Sequence, residues 1–308
     1  VEGAVISVDG AVASTDAQGR LSTTATARQV TDSSETIGGI KNINLQIGSF
    51  TDFVTWDSTT SFDHTFMASR ISSGTLDEWL VLESQWSPYF LDSDLIVGQS
   101  GTLSLDDGVS LRISEGHTIT VEGTMNAGDA TLSSTGQGAR WGGLHLGSLT
   151  SSTIDLSATS LLEASPAVTV SHYGQLTATG SEFARSSGAD PLIVISSGSN
   201  ASIELISSAL YDAGSGCINS FATAGHLVMS DVSVSNCNGV GVWARQTHLD
   251  VDGLTLSGDM THGFELTAVT GSMNNIDASE FTGTGYIGWL ESIDGSFAVS
   301  DLNGTVGG

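Results

Sequence analysis

His226-Leu227-Val228-Met229-Ser230-Asp231-Val232-Ser233-Val234 is followed, 22 residues on, by His248-Leu249-Asp250-Val251-Asp252-Gly253-Leu254-Thr255-Leu256. In both stretches the apolar residues fall two, five and seven positions after the leading leucine. A step of two is strand alternation, with successive inward side chains on one face. The step of three marks a corner, where one extra residue turns the chain and restores the inward register. Working outward, Ile154, Leu176, Ile203, Leu227, Leu249, Asn274 and Phe297 serve as anchors of a repeat of about 24 residues. Ser230-Asp231, Asp252-Gly253, Asp277-Ala278 and Ser300-Asp301 are read as the turn-forming corners. A further apolar strand precedes each anchor, as in Leu144-His145-Leu146, Val168-Thr169-Val170 and Phe264-Glu265-Leu266.

A segment with three short strands per repeat cannot bury its apolar side alone, whereas stacked repeats create a continuous interior. The composition agrees: 38 Gly and 3 Pro among 308 residues, with aliphatic residues singly or in pairs and no sustained 3.6-residue period. The expected fold is all-β, a right-handed parallel β-helix over 88–308 preceded by a small β-sandwich over 1–87. The chain starts at Val1, and its final repeat stops without a polar cap, so the solenoid is expected to continue beyond the segment.

The segments Ser87-Pro88-Tyr89-Phe90, Gly101-Thr102-Leu103-Ser104-Leu105, Ile119-Thr120-Val121-Glu122-Gly123-Thr124-Met125 and Arg140-Trp141-Gly142-Gly143-Leu144 resemble the opening coils of parallel β-helix repeat proteins from microbial cell surfaces. That resemblance implies a secreted or surface-attached protein, in a family holding adhesins, surface fibres and polysaccharide-cleaving enzymes of the pectin-lyase-like fold. At the other end, Val1-Glu2-Gly3-Ala4-Val5-Ile6-Ser7-Val8 with Thr15-Asp16-Ala17-Gln18-Gly19 is similar to carboxypeptidase-regulatory-like β-sandwich modules, which act as spacers. Asn42 to Ile47 and Asp63 to Met67 would be later strands of that module.

Charge narrows the partners. The chain carries 34 Asp plus Glu against 8 Lys plus Arg, a formal net charge of −26. Nucleic acid is excluded as a partner, because binding it needs Lys and Arg to displace counterions from phosphates. No apolar run approaches the roughly 20 residues that span a bilayer. Glycans, extracellular matrix and further copies of the chain remain as partners.

Pectin-type hydrolases need two converging carboxylates, and uronate lyases a base beside a cation-neutralised carboxylate. His226 and His248 stand one position before their anchors on successive repeats, where strand spacing would stack them about 5 Å apart. Glu204 and Asp250 flank them. These four residues are the candidate catalytic set, as an acid/base group or metal ligands, and two stacked imidazoles also suit a plain polar ladder. Asp231, Asp252, Asp277 and Asp301 are candidate calcium ligands if they line one corner, although aspartate also favours tight turns for its own backbone hydrogen bonds. No motif requires a cofactor, and calcium is the one ion these aspartates suggest. Cys217 and Cys237, 20 residues apart, stand close to one repeat from each other and could bridge, or remain as two buried thiols. Trp141, Trp243, Trp289, Tyr173, Tyr211 and Tyr286 could offer stacking platforms to sugars or fill the interior. The function expected from these readings is an extracellular structural or adhesive module, with a polysaccharide hydrolase or lyase as the alternative.

Overall fold

The computed structural model of the chain describes residues 71, 74–136, 138–147, 151–186, 188–196, 200–293 and 297–304 in full, and the backbone of the strands within 5–70. It is an all-β parallel solenoid. Three ladders of short strands run along it. The first is a ten-stranded parallel sheet opening with Gly74–Leu76, Leu95–Val97 and Thr118–Val121 and closing with His262–Thr267 and Gly288–Glu291. In the second, Trp79–Leu82 pairs with Thr102–Leu105, which pairs with Thr124–Ala127, and the pairing continues coil by coil to Ala298–Val299. The third starts with Ser69–Ile71, Tyr89–Leu91 and Ser110–Ile113, so the parallel ladders already run ahead of residue 88. From His226–Cys237 onward the second and third ladders are carried by one bent strand per coil, followed by His248–Gly258 and Thr270–Phe281.

Alternation fills the interior. Leu80, Leu103, Met125, Ile154, Leu176, Ile203, Leu227 and Leu249 are mutual ladder partners and all are buried. Two residues on, Leu82, Leu105, Ala127, Leu156, Ala178, Leu205, Met229, Val251 and Met273 form a second buried column. Each coil gains its apolar contacts from the coils above and below, as a quasi-one-dimensional architecture requires.

The corner between the second and third ladders is one residue in the left-handed region. Ala158, Gly180, Ser207, Asp231, Gly253, Asn275 and Asp301 all have φ between +48° and +80°. Each lies four positions after the inward residue that opens its coil. That single left-handed residue is the physical origin of the step from two to three in the apolar spacing. It also corrects one anchor. Leu249 pairs with Gly271 and not with Asn274, and the corresponding corner is Asn274-Asn275, not Asp277-Ala278. Gly271 puts no side chain into the interior, so the apolar marker is missing at that one position.

Inside this corner lies a ladder of hydroxyls. Thr159, Ser181 and Ser208 are buried. The Thr159 N–H donates to Ser181 Oγ at 3.2 Å, the Ser181 N–H donates to Ser208 Oγ at 3.1 Å, and Ser208 Oγ donates back to the Ala178 carbonyl at 3.1 Å. In the next three coils the same column becomes Val232, Leu254 and Ile276, paired in register. Ser181→Ala will strand the Thr159 N–H in the interior and lower stability by about 1–3 kcal/mol, read as a shift of the urea midpoint. An unchanged midpoint would mean that another acceptor replaces the hydroxyl.

Ahead of Ser69, Val5–Val8 pairs antiparallel with Ala11–Ser14 and with Gly39–Ile47, and Gly39–Ile47 pairs with Phe50–Ser58. The expected strand around 63–67, and the side-chain packing that would define a β-sandwich over 1–87, lie outside the described residues. Among the described residues, no helix is long and apolar enough to cross a membrane.

Candidate functional site

On the outer face of the second ladder, the position before each inward anchor forms a column that reads Thr153, Gln175, Ser202, His226, His248 and Thr270. Register alone places the two imidazoles on successive coils. Their ring centroids are 4.9 Å apart with planes inclined at 37°. Two positions further along the strand, the next outward column holds Thr177, Glu204, Val228, Asp250 and Ser272. Alternation therefore returns Asp250 to the same face as His248.

The geometry that results is convergent. Asp250 Oδ2 lies 3.0 Å from His248 Nε2 and 3.4 Å from His226 Nε2. The other nitrogen of His248, Nδ1, lies 3.0 Å from Thr270 Oγ1. The three side chains are close to half exposed, at 44% for His226, 47% for His248 and 45% for Asp250. They line an open groove together with Thr223, Gly225, Gln246 and Ala268. Among the described residues, this is the one group of three or more His, Cys, Asp or Glu whose ligand atoms approach closely enough to hold a metal ion, all lying within 4.8 Å of one another.

Glu204 is not part of this group. It shares the outward column of Asp250 but sits two coils away with Val228 between them, roughly 9.6 Å at strand spacing. Glu204 is exposed and Asp250 close to half exposed.

The four corner aspartates do not form a ladder. Asp231 and Asp301 occupy the left-handed column with Gly253 and Asn275 between them. Asp252 sits one position earlier in its coil, where its Oδ1 accepts from Asn275 Nδ2 at 2.6 Å. Asp277 lies beyond the corner, paired in the ladder with Thr255. The Ser279 backbone N–H donates to Asp277 Oδ1 at 3.0 Å and holds its carboxyl below the ordinary aspartate value. Asp252 thus bonds across to the next coil, and Asp277 within its own turn.

Cys217 and Cys237 are joined by a disulfide, with Cα atoms 5.6 Å apart and both residues fully buried. Cys217 leads into the first-ladder strand Ile218–Ser220, and Cys237 closes the bent strand of the following coil, stacked on Ala213. The bridge thus ties a corner of one coil to the next.

The aromatic residues divide. Trp141 is entirely buried and donates Nε1–H to the Leu162 carbonyl at 2.9 Å. Tyr211 hydrogen-bonds Glu182 through its hydroxyl. Trp243 meets Phe221 edge-on at 4.9 Å on the outer face of the first ladder. Two coils along the same outward column stands Trp289, 47% exposed, with Tyr286 at 56% beside it. Their ring centroids lie 5.7 Å apart, and Tyr286 in turn stacks on His262 at 5.8 Å and 12°.

Thr270 is the site residue that the sequence reading missed. With Asn274 taken as the anchor, Thr270 fell four positions ahead of it instead of one, and its place above His248 was hidden. The pair Asn274-Asn275 was the available signal, since asparagine tolerates the left-handed corner better than most residues. The chain matches no family model, no curated protein and no solved structure.

Proposed function

We propose that the chain is a structural and adhesive rod of the extracellular space, presenting flat acidic faces to glycans, matrix or other copies of itself. The observation that carries this reading is the exposed aromatic pair Tyr286 and Trp289 at the first ladder, with Tyr286 stacked on the part-buried His262. Aromatic faces left open beside polar groups offer an apolar platform and hydrogen-bonding edges together, the combination a sugar ring needs. Glu265 stands between Trp243 and Trp289 in the same outward column and adds an acceptor for sugar hydroxyls. The net charge of −26 favours neutral glycans over sulfated or uronate-rich ones. A buried disulfide supports an oxidising compartment, hence export.

The test is a panel of neutral and acidic polysaccharides, scored for binding and for release of reducing or unsaturated ends, with calcium and with chelator. Binding to one or more neutral glycans without turnover is expected. Trp289→Ala with Tyr286→Ala will weaken that binding at least about tenfold, the loss of roughly 1.4 kcal/mol. Turnover on any member of the panel would replace this reading with a polysaccharide-cleaving enzyme. Full binding by the aromatic variant would move the contact surface elsewhere.

A further inference from the structure

We propose that His226, His248 and Asp250 form a binding site for a divalent first-row transition ion, of which zinc is the representative. This inference is independent of glycan adhesion and rests on the donor set alone. Two imidazole Nε2 atoms face one carboxylate oxygen, at 3.0 and 3.4 Å. Those separations match the edges of a coordination polyhedron with metal–ligand bonds near 2.0–2.2 Å. Two nitrogens and one oxygen suit zinc and its neighbours, whereas calcium and magnesium take oxygen ligands almost exclusively.

A further contact prepares His248 for this role. Its Nδ1 sits 3.0 Å from Thr270 Oγ1, so an Nδ1–H donated to the hydroxyl leaves the Nε2 lone pair directed at the cluster. Metal-bound histidines are characteristically oriented by such a bond from the second ring nitrogen. Three protein ligands leave coordination positions for water in the open groove, which Thr223, Gly225 and Gln246 line together with the cluster. Because the ligands come from two successive coils, a bound ion staples one coil to the next. The strongly acidic surface raises the local concentration of any cation, and the nitrogens supply the selectivity that carboxylates alone lack.

The experiment is zinc titration of the tag-free chain in excess magnesium, which saturates ordinary surface carboxylates. The expected result is one tightly held zinc per chain, a raised melting midpoint, and, with cobalt as probe, visible absorption of a low-coordinate nitrogen-ligated ion. His248→Ala and Asp250→Asn will each weaken zinc binding at least about tenfold, while Glu204→Gln, outside the cluster, leaves it unchanged. Thr270→Val will weaken it less and serves as the test of the orienting contact. Failure of the unmodified chain to bind stoichiometric zinc under magnesium overturns the proposal without reference to any variant. Stoichiometric zinc retained by both His248→Ala and Asp250→Asn overturns it equally, by placing the ion elsewhere.

Discussion

Replacing Cys217 and Cys237 together by alanine will lower the stability of the central coils by about 3 kcal/mol. The estimate follows from the separation of 20 residues, which fixes the loop that the bridge closes in the unfolded chain. Both residues are fully buried, and the bridge spans a corner where the first and third ladders meet. Its loss releases that corner more than any other part of the solenoid. In a linear array each coil touches only its neighbours, so the effect will be graded along the rod. Hydrogen exchange will quicken most in Ile218–Ser220 and Val240–Arg245 and little in Leu95–Val97. Dithiothreitol will lower the urea midpoint of the unmodified chain and leave that of the double-alanine variant where it is. Equal midpoints for the oxidised and reduced unmodified chain would show that the bridge contributes nothing to stability.

The same region shows what the sequence could and could not disclose. The repeat was legible because Leu227, Met229, Val232 and Val234 carry an inward side chain at every position that needs one. Gly271 holds the next but one equivalent of Leu227 without a side chain, and the register inferred from apolar spacing slipped by three there. Thr159, Ser181 and Ser208 hold the same inward position as Val232 without an apolar side chain to mark it, although they are buried and bonded between coils. The imidazole stack was legible from spacing, because strand pairing converts an interval of 22 residues into neighbours. That the carboxylate of Asp250 meets both rings was not, since it depends on side-chain direction two positions along a strand. Glu204 was drawn into the candidate set by proximity in column order, which spacing reports without distance.

Trp141→Ala is expected to cost more than the loss of the disulfide, about 3–5 kcal/mol, the range for removing a fully buried large aromatic side chain. Trp141 sits between the third-ladder strand Thr131–Ser134 and the first-ladder strand Gly143–Leu146, and it makes a single parallel bridge to Ala164. Its backbone is tied upward, with its N–H donated to the Glu163 carbonyl at 3.2 Å and its carbonyl accepting from the Ser165 N–H at 3.1 Å. Its indole N–H satisfies the Leu162 carbonyl from inside. Truncation therefore opens a cavity and removes a buried hydrogen bond at once, and the following turn has little freedom to close over it. Gly143 has φ of +83°, and a Cβ there would collide with the Pro166 carbonyl of the next coil, so the backbone beside Trp141 is already at closest approach. Trp141→Phe separates the two contributions: it keeps most of the packed volume and gives up the hydrogen bond, for a loss of about 1 kcal/mol. Urea denaturation of the three proteins, followed by hydrogen exchange at Thr118–Val121 and Val168–Val170, checks the order. An alanine variant within about 1 kcal/mol of the phenylalanine variant would mean that the coils collapse onto the vacated space, a softness at odds with close packing between rungs.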